Sequence, residues 1–202
     1  MRIAPAMLAI FASFIASVVA VPVHPVAAAT GERCTEWTSK STPPPTIRVY
    51  RVSEGLVETV DFKDYVMRVV SSEWNVKLRS LRRAGAHAVK QYAWYHVLHY
   101  RGGKLDGECF DVRDTTSDQI YRAKAIEQIP KRVKEAVNST WTWRLYRDGK
   151  FIMTGYRRGK KDVACAEDAG YRLYVRSGRK CAQQGWGAAR ILQVYYTATL
   201  EK

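Results

Sequence analysis

The stretch from Asp64 to Tyr95, DYVMRVVSSEWNVKLRSLRRAGAHAVKQYAWY, constrains the fold more than any other part of the chain. It contains two segments of apolar helical spacing separated by a break at Glu73-Trp74. The first segment, about Phe62 to Ser71, puts Tyr65, Val66, Val69 and Val70 on one face, and Asp61 stands where a helix needs its N-cap. The second, Leu78 to about Tyr100, is the longest helical pattern in the chain. Its Ala84, Gly85, Ala88 and Ala93 form a small-residue surface that lets another backbone approach closely. At the break, Glu73 has Trp74 beside it and Val69-Val70 just before it. Apolar surroundings disfavour a charged carboxylate, so a raised pKa is expected there. A carboxylic acid that keeps its proton near neutral pH can donate it to a leaving oxygen. The competing reading is an ordinary solvated glutamate at a helix end.

Around this pair the pattern is mixed. Ile47 to Val52 alternates as a strand, Ser53-Glu54-Gly55 turns, and Leu56 to Val60 returns, which predicts a hairpin. Asp106 to Tyr121 reads as a loop, and Pro130 suits the first turn of a helix to about Asn138. Thr140 to Tyr146, the turn Asp148-Gly149 and Phe151 to Thr154 give the strongest hairpin signal. Gly155 to Ser177 is rich in glycine and charge and reads as a long loop of the functional kind. A last helix after Gly185-Trp186-Gly187 carries Ile191, Leu192, Tyr195 and Tyr196. The expected fold class is α+β: one mixed domain with β-hairpins packed around a central long helix.

The first 29 residues combine Arg2, a long apolar run, Pro22 and Pro25, and Ala27-Ala28-Ala29. This is the pattern of a secretory signal peptide cleaved before Thr30, with an uncleaved membrane anchor as the alternative. Residues 30–45 end in Ser41-Thr42-Pro43-Pro44-Pro45 and read as an extended Pro-rich linker. Either fate of the N-terminus exports residues 46–202, so the protein is expected to be secreted, wall-associated or membrane-anchored. Of the net charge of +14, only Arg2 lies in the signal, leaving +13 on the exported part. Such a balance attracts anionic partners. Export argues against nucleic acid and for anionic wall polymers, lipid headgroups or acidic glycans. Cys34, Cys109, Cys165 and Cys181 all lie in the exported part, and an even count there predicts two disulfides. Three connectivities are open; Cys165 with Cys181, which bracket one loop, and Cys34 with Cys109 is the preferred one. No Cys or His spacing suggests zinc, and His96 and His99, three apart on a helix, lack a third ligand. No cofactor is implied.

Three ordered motifs then carry a resemblance. Tyr65-Val66, Val69-Val70, Glu73-Trp74, Leu81 to Ala86 and Lys90-Gln91-Tyr92-Ala93 form the first. Asp111, Asp114-Thr115-Thr116, Gln119 and Tyr121 form the second, and Gly185, Ile191-Leu192 and Tyr195-Tyr196 the third. Together they resemble the SpoIID/LytB (stage II sporulation protein D) family. The resemblance implies a lytic transglycosylase acting on peptidoglycan glycan strands, with Glu73 as its single acid/base. Ordinary glycosidases need two carboxylates. A lytic transglycosylase needs one, because the substrate's own C6 hydroxyl attacks and a 1,6-anhydro sugar forms. Lys90, Tyr92 and Gln119 match polar positions of the motifs and are expected to hold the saccharide or to orient Glu73; Asp114, Thr115 and Tyr121 of the second motif are expected to hold substrate. Asp111 and Asp114 are the other carboxylates in suggestive settings, although Asp114 before two threonines also reads as a self-capped turn.

The chain departs from the family pattern in several places. Arg79-Ser80-Leu81 stands where many relatives have Glu-Ala-Leu. The His-Gly-x-Gly-Met-Ser-Gln-like segment has no counterpart in Asp168 to Arg179, nor the Cys-Gly-Gly-like loop around Ala164-Cys165-Ala166. Positions where some relatives place cysteines hold Arg113 and Asp118. The alternative function implied by the resemblance is therefore a non-catalytic wall-binding protein that stimulates a separate amidase, with a wall hydrolase as its partner.

Overall fold

The computed structural model describes residues 33–123 and 128–202; the expected signal peptide, residues 1–29, lies outside the described residues. The fold opens with strand β1 (Thr46–Arg51) and strand β2 (Leu56–Asp61), paired antiparallel from Thr46↔Asp61 to Arg51↔Leu56. Asp61 then caps helix α1 (Phe62–Glu73), its side chain accepting from the Asp64 N–H at 2.8 Å. This satisfies one of the donors that a helix start leaves unpaired. The buried face of α1 is Phe62, Tyr65, Val66, Val69 and Val70, the stripe its sequence spacing predicts.

Helix α2 (Arg79–Leu98) is the axis of the domain: fifteen of its twenty residues are buried, with helices packed against it from several sides. Such enclosure requires small residues at the closest approaches. At Gly85 the Trp74 indole lies so near that an added Cβ would sit 2.2 Å from its ring carbons. Alanine would gain about 1 kcal/mol of helix propensity there. Trp74 is fully buried and has nowhere to retreat, so overpacking wins. Gly85→Ala is expected to lose about 2 kcal/mol net in chemical denaturation; an unchanged midpoint would mean that the indole has room to move.

The chain continues through β3 (Lys104–Leu105), β4 (Glu108–Cys109) and β5 (Val112–Arg113), the last pairing parallel with β1. Helix α3 (Lys131–Asn138) follows Pro130, as expected, and then β6 (Arg144–Arg147) and β7 (Lys150–Phe151) close on Asp148-Gly149, both with positive φ. That hairpin is shorter than its sequence suggests. The carbonyls of Thr140, Trp141 and Trp143 turn inward onto the Lys90 ammonium instead of entering a ladder.

The predicted loop from Gly155 to Ser177 contains β8 (Tyr156–Arg157) and β9 (Leu173–Tyr174), paired parallel, and runs into helix α4 (Val175–Gln183). The sequence of α4, VRSGRKCAQ, has no apolar stripe; it buries only Ser177, Gly178 and Cys181. It is held by close approach, since a Cβ at Gly178 would meet Leu81 of α2 at 2.9 Å, and by the Cys165–Cys181 disulfide. Helix α5 (Ala188–Tyr196) is the expected last helix. It is followed by β10 (Thr199–Glu201), which the sequence did not suggest and which pairs with β6.

Two small three-stranded sheets thus sit against a helical core, a mixed α+β arrangement around one long helix. The stretch before β1 bends on itself, the Thr42 N–H donating to Ser39 Oγ at 3.0 Å, and is fastened to the domain. Trp94 Nε1 donates to the Ser39 carbonyl at 2.9 Å, Arg144 to Ser41 at 2.9 Å, and Cys34 is bonded to Cys109. Both preferred disulfides are present, which fits an extracytoplasmic location, where such bonds persist. Among the described residues no helix is long and apolar enough to cross a membrane.

Candidate functional site

Glu73 is the last residue of α1, and helix termination there aims its carboxylate across the fold. Oε1 accepts the Ile120 N–H at 2.9 Å and Oε2 accepts the Tyr156 hydroxyl. Three distant segments therefore meet at this carboxylate: the end of α1, the loop before Tyr121, and β8. Burial raises the Glu73 pKa above the usual carboxylate range; the Tyr156 hydroxyl, the Ile120 N–H and the Arg157 charge oppose it. Burial dominates, so the protonated form is favoured more than in a solvated glutamate.

Behind the carboxylate stands a buried relay. Gln119 is fully buried; its Nε2 donates to Tyr156 Oη and to the Val89 carbonyl, both at 3.2 Å, and its Oε1 accepts from Tyr65 Oη at 3.0 Å. Gln119 thus fixes Tyr156, which holds Glu73. Tyr156 also meets the Trp74 ring edge-on at 5.3 Å. Its own ionisation is pushed well up by burial and by the Glu73 charge, so it remains a donor. Tyr156 was not singled out by sequence, for it sits 83 residues from Glu73 with no motif around it. Its only signal was its position at the start of a loop read as functional.

The other expected substrate residues divide. Asp114, Thr115 and Tyr121 line one cavity of about 590 Å³, which also includes Ile120, the residue whose N–H donates to Glu73. Tyr121 stacks on Tyr65 at 5.2 Å, and Arg51 lies over its ring at 5.4 Å. Asp114 does not cap its own turn: it accepts from Arg51 Nε at 3.1 Å and from the Val52 N–H at 3.0 Å, clamping the loop to the β1–β2 hairpin. Thr115 Oγ1 bonds Ser117 Oγ at 2.8 Å.

Lys90 and Tyr92 do not line that cavity. Lys90 is 1% exposed, and its Nζ reaches the carbonyls of Thr140, Trp141 and Trp143 at 3.0, 2.7 and 2.6 Å, so it has nothing to offer a saccharide. Tyr92 donates to Asp118 Oδ1 at 3.1 Å, with its pKa raised to about 12 by burial and the Asp118 charge. Gln119 is equally enclosed and acts through Tyr156. Asp111 is a buried strut: Oδ2 accepts from Thr35 and from the Arg48 N–H, and burial raises its pKa. The Arg113 N–H donates to Asp118 Oδ2 at 2.8 Å. Burial lowers the His96 pKa to about 4, while His99 is exposed and stacks on Tyr95. Among the described residues no three His, Cys, Asp or Glu side chains converge on a metal position.

Residues 50–145 match the family model described as Stage II sporulation protein, SpoIID. The chain carries a SpoIID domain. No curated protein matches the sequence. The match includes Glu73, Gln119 and Ile120 but ends before Tyr156, so one of the two groups on the Glu73 carboxylate comes from outside the matched span. Residues beyond 145 nevertheless pack on the SpoIID core, through α4 and α5 against α2.

Proposed function

We propose that this protein cleaves peptidoglycan glycan strands as a lytic transglycosylase, with Glu73 as acid and then base. The observation that carries this reading is a carboxyl group within a SpoIID domain whose pKa is raised by burial while two donors fix its orientation. Each carboxyl oxygen has two lone-pair positions. Ile120 and Tyr156 take one on each, which leaves a site for the catalytic proton.

Glu73 passes that proton to the glycosidic oxygen as the C1–O bond breaks. The C6 hydroxyl of the same sugar then bonds to C1, and its proton goes to the Glu73 carboxylate. The products are a 1,6-anhydro end and a free hydroxyl on the leaving sugar; no water is consumed, and Glu73 ends protonated. A second carboxylate is not required. Asp114, Thr115 and Tyr121, on the cavity beside Ile120, would hold the neighbouring sugars, with Tyr121 offering part of an aromatic face.

The test is mass spectrometry of peptidoglycan after incubation with the protein. Anhydro ends support the proposal, whereas reducing ends would mean hydrolysis and defeat it. The reaction needs the protonated acid, so activity should be present below the raised Glu73 pKa and fall as pH rises through it. Tyr156 donates to the charged form, so Tyr156→Phe should raise the Glu73 pKa further and move that falling limb to higher pH. A limb that stays in place would remove Tyr156 from the mechanism.

A second reading has one observation in its favour. Both Glu73 oxygens are bonded within the fold, as they would be if the residue only tied α1 to β8 in a wall-binding protein that stimulates a separate amidase. Under that reading, strands are bound and no anhydro ends form.

A further inference from the structure

Helix α4 buries Ser177, Gly178 and Cys181 and keeps another face for cations. Arg176, Arg179, Lys180 and Gln183 stand at i, i+3, i+4 and i+7, a single stripe along that face. Three concavities follow the stripe. The first, of about 470 Å³, is lined by Arg176, Arg179 and Lys180 of α4 and by Arg158 and Lys161 of the loop opposite. The second, of about 350 Å³, shares Arg179 and Gln183 with the first and adds Lys77 from the turn between α1 and α2. The third, of about 440 Å³, shares Leu78 with the second and adds Arg79 and Arg83 of α2, ending at Gly185-Trp186-Gly187 beyond α4. Eight cations and one acid, Asp162, thus line one groove along the helix. Among the described residues none of the eight is ion-paired with a carboxylate. The walls are fastened: the Arg176 N–H donates to the Arg158 carbonyl at 3.1 Å, its guanidinium to the Gly159 carbonyl at 3.2 Å, and Cys165 is bonded to Cys181. Like charges held together in this way repel one another, and an entering anion relieves the repulsion.

The form of the groove decides among anions. One small anion fills one concavity, whereas three in succession fit a chain. A membrane-binding face sets apolar side chains among its cations. Among the described residues the exposed large apolar side chains are Val52, Leu56, Met153, Tyr171 and Val194, and none of them lines the groove. A single-stranded nucleic acid stacks its bases on aromatic rings. The one aromatic residue in the lining, Trp186, already carries the Arg190 guanidinium over its ring at 3.9 Å. Phosphate suits the donors better than carboxylate does. Guanidinium groups come from both the loop and the helix, and the start of α4, which no side chain caps, adds its N–H groups. A planar carboxylate accepts in one plane; a tetrahedral phosphate accepts from several directions.

We propose that this groove binds an extended polyol–phosphate chain, fastening the protein to an anionic polymer of the cell wall. The surface is separate from the glycan chemistry above: Glu73 is bonded by Ile120 and Tyr156, and neither lines the groove. Anchorage and cleavage therefore stand or fall independently.

The experiment measures binding of poly(glycerol phosphate) of defined length at several salt concentrations. The polymer should bind about tenfold or more tighter than the glycerol phosphate monomer or inorganic phosphate, and salt should weaken it. Arg158→Gln/Arg179→Gln/Lys180→Gln, all at exposed positions, should lower the affinity about tenfold. Lys131→Gln/Lys134→Gln/Lys150→Gln removes the same charge from exposed positions outside the groove. It should change the affinity by no more than about twofold, as expected for screened distant charges. Both variants should keep the denaturation midpoint of the unaltered protein, and Glu73→Gln should bind the polymer as the unaltered protein does. Equal weakening by the two triple substitutions would mean attraction to overall charge and overturns the groove. Monomer binding as tight as the polymer overturns the chain and leaves a site for a single anion. Equal or tighter binding of polygalacturonate, of oligothymidylate or of phosphatidylglycerol vesicles through the same three residues overturns the assignment to polyol phosphate.

Discussion

Glu73→Gln is expected to lower the release of anhydro ends about 10²–10⁴-fold, the usual contribution of a positioned acid/base, with strand binding retained. Glutamine keeps the shape and one acceptor oxygen but cannot deliver a proton. Because the native state raises the Glu73 pKa, it binds that proton more tightly than the unfolded chain does. The protonated carboxyl therefore contributes stability that is full below the unfolded carboxyl pKa and is lost as pH rises through the raised one. The Gln variant lacks this pH-dependent component, so the two unfolding curves should differ in slope across that window. The slope reports on the buried carboxyl independently of any substrate. Undiminished anhydro release from the variant would move the acid to another residue.

Lys90→Met should cost about 3 kcal/mol of stability, read as a lower denaturation midpoint, while the surviving folded protein binds glycan as tightly as before. Three carbonyls converge on the ammonium, and a buried acceptor left without its donor costs about 1–3 kcal/mol. Burial already pulls the Lys90 pKa well below its usual value, so part of the loss is offset by no longer desolvating a charge. The carbonyls come from the turn that follows α3, so the substitution should loosen the approach to β6 first. Weaker glycan binding at unchanged stability would restore Lys90 to the substrate surface, where the motif match had put it.

Lys90 and Glu73 show how differently a motif residue can be read before and after folding. Both stand in the same matched segment, one at a helix end and one within a helix. The break at Glu73-Trp74 was visible because the apolar spacing stops there, and a carboxylate at such a stop can face inward. The direction of Lys90 was not visible: α2 is buried on nearly every side, so its sequence has no solvent face against which a lysine would look out of place. Helix α4 is the converse. It is charged, short and carries a glycine, and only its neighbours make it a helix, through the close approach at Gly178 and the disulfide at Cys181.

What contiguous residues determined was the local skeleton: the Asp61 cap, the faces of α1 and α5, the central position of α2, the Asp148-Gly149 turn, and the presence of two disulfides. The cap, the helix faces, the central helix and the turn follow from periodicity, capping or turn chemistry within a few residues, and the two disulfides from an even cysteine count in a chain read as exported. Tertiary structure alone decided what surrounds the Glu73 carboxylate. Ile120 and Tyr156 lie 47 and 83 residues away. Hydrogen bonds and electric fields depend on distance through space, and no spacing along the chain fixes that distance until the core has packed.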